Sequence, residues 1–146
     1  MVFIVGVDHI IQHNGFSWAA KLSAIKVFSE YLEKIAQDFD VTVIAEEFSE
    51  ESLRINHVPM STAQIVAKRI NFKHLFCDPN RKERKALGIS NDDDRERIWV
   101  ERLRDVINET ILFICGDRHL VSFKDKLLSE GVAVEIISQG WGAELV

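Results

Sequence analysis

Two four-residue segments combine an imidazole with a carboxylate: Gly6-Val7-Asp8-His9 near one end of the chain and Gly116-Asp117-Arg118-His119 near the other. Histidine changes charge near neutral pH, so it serves as proton acceptor, proton donor or metal ligand, and an adjacent aspartate supplies oxygen donors. Each segment directly follows an apolar run, Val2-Phe3-Ile4-Val5 in the first case and Ile111-Leu112-Phe113-Ile114-Cys115 in the second. Such runs read as buried strands, which places each Gly-x-x-His where a strand hands over to a loop. In an open parallel sheet that edge is where ligands bind, so the two segments read as halves of a single site.

The same edge is expected to collect further polar groups. Glu46 and Glu47 follow a second predicted strand at 41–45, Asp78 follows a third at 74–77, Asp117 and His119 follow the fourth, and Ser138 follows the fifth at 132–137. Carboxylates gathered on one edge repel one another unless a cation, a proton or an arginine lies between them. Each residue also has a plainer reading. A strand-ending glycine makes a turn and a following Asp or His caps the next helix; Asp78-Pro79 starts a turn. Glu46-Glu47 reads alternatively as a solvated loop, although alternation sends only one of the pair inward, with Glu46, directly off the strand, expected in the cleft. Arg95, Arg102 and Arg104 lie on a Glu-rich helix and read as surface pairs, while Arg95, Trp99 and Arg102 share one helical face. Arg118, inside the motif, is the better candidate to bind an anionic or carbonyl group. His13, His57 and His74 fall off this edge, His74 at the start of the third strand.

The elements that must position these groups alternate in type. The turn signal Asn14-Gly15 and the candidate cap Ser17 precede a long helix, whose apolar positions Trp18, Leu22, Ile25, Phe28, Leu32, Ile35 and Phe39 step by three or four. Residues 49–55 read as a short helix, His57-Val58-Pro59 as its interruption, and Ser61-Thr62-Ala63-Gln64 as a capping box opening a helix through Arg69. The charged stretch 80–97 breaks at Leu87-Gly88-Ile89. Asp92, Asp93 and Asp94 suit the start of a helix reaching about Thr110, with Ile98, Trp99, Leu103, Val106 and Ile107 toward the core. Leu120, Phe123, Leu127 and Leu128 define a last helix closed at Gly131. Short, continuously apolar strands separated by helices predict one α/β domain over 1–146, a three-layer α/β/α sandwich with a mostly parallel sheet of about five strands. Strands one and four must be neighbours if the two motifs are to meet.

A chain of 146 residues with 47% hydrophobic content has room for a real core. The apolar start lacks a basic leader, and the longest apolar runs fall below the ~18 residues that cross a bilayer, so a cytoplasmic protein without a membrane partner is expected. A net charge of −5 argues against an extended nucleic-acid partner. Cys77 and Cys115 read as reduced core residues, since zinc or redox spacing is absent. The tail Gln139-Gly140-Trp141-Gly142 closes over an edge or joins a neighbouring subunit, which leaves a homo-oligomer open.

These pieces together resemble a known superfamily. It groups erythromycin esterase-like, haem-uptake (ChaN-like), TraB/PrgY and Tiki proteins, and its hallmarks are a Gly-x-x-His after the first strand, a strand-ending glutamate after the next, and a second Gly-x-x-His-Leu followed by a helix and a Gly-Val-x-Val-Glu strand. Here they correspond to Gly6 to His9, Glu46 or Glu47, Gly116 to Leu120, and Gly131-Val132-Ala133-Val134-Glu135. The resemblance implies a shared site more than one reaction: Tiki proteins are described as metal-dependent proteases, erythromycin esterases open a lactone, and ChaN-like members bind haem. Two departures stand out. Asp8 replaces the usual glutamate, and only residues 49–108 lie between the motif-bearing ends.

The chemistry expected from this set is metal-assisted hydrolysis of an ester or amide bond in a small-molecule or peptide substrate. Asp8, His9, Glu46, Asp78, Asp117 and His119 would hold Mn, Zn, Co or Fe, and a glutamate of the 46–47 pair not used as ligand would be the general base. In a metal-free variant His9 is the base, oriented by Glu46 or Glu47, while His119 and Arg118 stabilise developing negative charge. Two further readings are a non-catalytic sensor binding a ligand, metal or haem, with Trp18 or Trp141 as an interface anchor, and a metal-dependent phosphodiesterase. Nucleotide-binding glycine loops are absent from the sequence.

Overall fold

A computed structural model describes residues 1–12 and 19–145. His13, the Asn14-Gly15 turn, the Ser17 cap and the Trp18 anchor lie outside the described residues. Five strands form one all-parallel sheet in the order β3-β2-β4-β1-β5, with β1 at Val2–Val7, β2 at Val43–Glu46, β3 at Lys73–Phe76, β4 at Ile111–Gly116 and β5 at Val134–Trp141. Strands β1 and β4 are neighbours, in register from Val2 opposite Ile111 to Val7 opposite Gly116, so both Gly-x-x-His segments leave the sheet side by side.

The central strands are continuously apolar because helices cover both faces. Ile4, Ala45, Phe113 and Cys115 face α6 (Asp92–Leu103) and α7 (Leu120–Ser129), where Trp99, Leu103, Phe123 and Leu127 complete one core. The alternate residues Val5, Val7, Ile44, Leu112 and Ile114 face α2 (Ala19–Asp38) and α4 (Thr62–Arg69), against Phe28, Leu32 and Val66. This is the expected three-layer α/β/α arrangement. Two short helices complete the edge that carries the motifs: α1 (His9–Gln12) starts directly after Asp8, and α3 (Glu50–Ile55) starts after the cap Ser49.

Several local expectations shift. Strands β2 and β5 begin two residues later than expected, and β5 runs on through Trp141, with register shifts against β1 between Ile4 and Val7. Trp141 is therefore part of the domain's own packing: its ring stacks on Tyr31 at 4.8 Å and meets Phe28 at 5.0 Å. Leu22 and Leu128 point outward, because their helices bury narrower stripes than the full apolar pattern. Only half of the predicted capping box at Ser61 forms. Ser61 Oγ accepts from the Gln64 amide, whereas the Gln64 side-chain oxygen does not return the bond. A complete box appears instead where α5 (Arg81–Leu87) starts, between Asn80 and Glu83. The helix after Asp92 turns into a tight 3-10 turn at Arg104–Val106, short of Thr110. Cys77 and Cys115 are free and buried, with burial pushing the Cys77 thiol up to about 12. Among the described residues no helix is long and apolar enough to cross a membrane.

Candidate functional site

The two motifs interlock through their glycines. A Cβ on Gly116 would lie 2.6 Å from His9 Nε2, so the imidazole of the first motif rests on the bare backbone of the second. Conversely, a Cβ on Gly6 would collide with the Asp117 carboxylate and with Leu120. Each glycine is thus required by the other motif's side chain, a close-approach use of the residue rather than a turn.

Glu47 joins the pair. Its Oε2 accepts from the Gly116 amide at 2.9 Å and stands 3.7 Å from His9 Nε2, while its Oε1 lies 3.2 Å from His119 Nε2 and 2.6 Å from Arg95 Nη2. Burial pushes this carboxyl up, but the hydrogen bond from His119, the charge of His9 and the Gly116 amide overcome it and hold the group at about 2. Glu47, not the expected Glu46, therefore enters the cleft. Glu46 is the last residue of β2 and shares the face of Ile44, so it points to the α4 layer, where its Oε2 accepts from Ser61 Oγ and lies 2.9 Å from His74 Nε2.

His119 is buried between two acids, with Nδ1 3.1 Å from Glu96 Oε2 and Nε2 directed at Glu47. Burial alone would lower its pKa, but hydrogen bonding to Glu47, the charge of Glu47 and hydrogen bonding to Glu96 raise it, and a carboxylate faces each ring nitrogen, the arrangement an imidazolium satisfies as a double donor. A protonated Nε2 cannot also accept from Arg118 Nε at 3.2 Å; that guanidinium is satisfied by Asp92, 3.1 Å from the same nitrogen. Glu96 is held in turn by Ser122 Oγ at 2.9 Å and Lys126 Nζ at 3.3 Å.

The charge that compensates the clustered carboxylates is Arg95. Its three nitrogens reach Glu47 at 2.6 Å, Asp78 at 3.0 Å and Asp92 at 3.0 Å. Asp78 also accepts from Trp99 Nε1 at 3.0 Å and Arg84 Nη2 at 2.5 Å. Asp117 turns away to accept from the Gly140 amide at 2.7 Å, which latches β5 to the motif, and the Asp8 carbonyl accepts from the Ile11 and Gln12 amides at the start of α1. Of the six residues expected to share an ion, Glu46, Asp78, Asp117 and His119 thus have separate protein partners. Among the described residues no three His, Cys, Asp or Glu groups stand together in a way that could hold a metal. The position between the acids is filled by a guanidinium, and the donor set does not fit an ion held there.

Neither a known family, nor a curated protein, nor a solved structure matches this chain.

His9 is the reactive group that solvent reaches, with 42% of its side chain exposed. Its Nδ1 lies 3.1 Å from Gln12 Oε1, and Gln12 Nε2 donates to the Glu47 carbonyl at 3.1 Å. That fixed amide orientation gives Nδ1 the donor role toward Gln12 Oε1 and turns Nε2 toward Glu47 Oε2. The two atoms are 3.7 Å apart, too far for a direct hydrogen bond and close enough to share a water. They open into a cleft of about 310 Å³ whose walls include Phe48, Ser52, Arg84 and Arg118.

Gln12, Arg95 and Glu96 do this work without having stood out as site residues. Gln12 has a signal in its spacing, three residues after His9 on one helical turn. Glu96 has one too, because it shares a stripe with Trp99, Val100 and Leu103, all buried. An acid on an apolar stripe needs a buried partner, and His119 is that partner.

Proposed function

We propose that this protein hydrolyses an ester or amide bond of a small-molecule or peptide substrate, with His9 as general base and no metal in the step. The carrying observation is the Gln12–His9–Glu47 arrangement: one nitrogen of a partly exposed ring is tied down and the other is aimed beside a carboxylate held at about 2. A water between His9 Nε2 and Glu47 Oε2 gives its proton to Nε2 as its oxygen bonds to the carbonyl carbon. Negative charge then develops on the carbonyl oxygen, and Arg118 at the rim, 66% exposed, is the cation available to it. Collapse of the tetrahedral species breaks the bond to the leaving oxygen or nitrogen, which takes the proton back from Nε2. Glu47 steadies the imidazolium meanwhile; His119 and Arg95 keep Glu47 charged from behind. General base catalysis of this kind supplies roughly 10²–10⁴-fold.

The test is hydrolysis of 4-nitrophenyl acetate by the wild type and by His9→Ala, with and without a chelator, alongside elemental analysis of the purified protein. We expect chelator-insensitive turnover that falls at least about 100-fold in His9→Ala. Equal rates in the two proteins sink the proposal. Turnover that a chelator abolishes and a divalent ion restores replaces it with the metal-assisted form.

A further inference from the structure

We infer that the substrate carries a negatively charged carboxylate or phosphate group, seated at Arg84 while the scissile bond lies at His9. This deepens the hydrolase reading of the same cleft and rests on it for the position of the reacting bond. The argument is the unequal exposure of the charges lining the cleft. Its two acids are sunk in the floor: Glu47 is 4% exposed with both oxygens engaged by Arg95, His119 and Gly116, and both Asp78 oxygens accept from Arg84, Arg95 and Trp99. The cations are at the surface, with Arg84 39% and Arg118 66% exposed. In the cleft itself a ligand therefore meets guanidinium groups, the His9 ring and a hydroxyl, while the nearest accessible carboxylates, Asp92 and Glu51, are paired with Arg118 and Arg81, in a chain whose overall charge is −5.

Arg84 is also preorganised. Nε donates to the Pro79 carbonyl at 2.9 Å and Nη2 to Asp78 at 2.5 Å, which holds the guanidinium in place. Arg84 and Ser52 line both the His9 cleft and the adjoining hollow of about 260 Å³ beside Asn80, so they stand at the junction where a substrate extending beyond the reacting bond would pass. Charge-assisted donation from a fixed guanidinium is what recognises a carboxylate or phosphate. Neither contact takes part in proton transfer, so Arg84 is a specificity residue distinct from His9 and Arg118.

The experiment compares mono-4-nitrophenyl succinate with neutral 4-nitrophenyl acetate, with inorganic phosphate and acetate as competitors at constant ionic strength. The wild type is expected to show a KM at least about 10-fold lower for the anionic ester, inhibition by one or both competitors, and a KM advantage lost in Arg84→Gln and partly kept in Arg84→Lys. Phosphate inhibiting far more than acetate assigns the natural group as a phosphate, and the reverse as a carboxylate. Equal KM values for the two esters with no inhibition by either anion overturn the inference while leaving the hydrolase reading intact. No turnover of either ester, with phosphate still shifting the thermal midpoint of the wild type but not of Arg84→Gln, removes the hydrolase reading and keeps the anion site. Should Arg84→Gln fail to fold, the wild-type ester comparison and the competition decide alone.

Discussion

Replacing Glu47 by Gln keeps the side chain's size and removes its charge from a position where a guanidinium, an imidazolium and a backbone amide all converge. The structure sets the size of the effect. A carboxyl moved from its ordinary 4.5 to about 2 by folding stabilises the folded state by about 3 kcal/mol at neutral pH, at about 1.4 kcal/mol per pH decade. The sign follows from the direction: a depressed carboxyl contributes fully above 4.5, loses the contribution as pH falls below that, and contributes nothing once pH is below about 2. The Gln amide resembles the protonated acid, and it also turns a donor toward Arg95 or His119, so about 3 kcal/mol is a lower bound at pH 7. Urea unfolding of the wild type and Glu47→Gln, extrapolated linearly to water, measures the gap. It is expected to exceed about 3 kcal/mol at pH 7 and to lose roughly half of the charge-dependent part at pH 3. Acids that share no partner with Glu47 titrate equally in both proteins and cancel. A gap below about 1 kcal/mol, or one that does not change between the two pH values, refutes the view that Glu47 is a buried anion compensated by Arg95 and His119.

His119→Gln removes the imidazolium between Glu47 and Glu96 and should cost about 3 kcal/mol in the same assay. Because folding raises this histidine's pKa, the charge contributes fully below its ordinary 6.5 and is lost as pH rises through the raised value, so the gap to wild type should narrow on the alkaline side. Gly116→Ala should leave circular dichroism close to wild type yet depress hydrolysis, because the new Cβ displaces the His9 ring; Gly6→Ala, aimed at Asp117 and Leu120, should destabilise by about 1–3 kcal/mol. His74→Ala should cost about 1–3 kcal/mol, since it takes a partner from the buried Glu46, while ester turnover stays at the wild-type level. If His74→Ala instead abolishes turnover with the fold intact, the reaction belongs to the Glu46 face and not to the Glu47 cleft.

The order of elements and the parallel sheet were legible in the chain, because burial on both faces of a sheet leaves a local mark, runs such as Ile111 to Cys115 with no polar alternation, and the adjacency of β1 and β4 followed from the requirement that the two Gly-x-x-His motifs meet. That the two Gly-x-x-His segments and the acids after β2 and β3 would gather on one edge followed from the same marks, since strand ends in a parallel sheet all lie together. The phase at the end of β2 did not follow. Glu46 and Glu47 are neighbours of identical type, and which one faces the cleft depends on where pairing with Ile114 stops and on which helical layer covers each face. The compensating charge was equally out of reach, because Arg95 lies 48 residues from Glu47 and meets it only once α6 packs over the strand ends. Backbone burial is written into neighbouring residues. Charge pairing across a cleft belongs to the packed layers, and there it is the Arg95 guanidinium, of the cation, proton or arginine that the residue types left open, that lies between Glu47, Asp78 and Asp92.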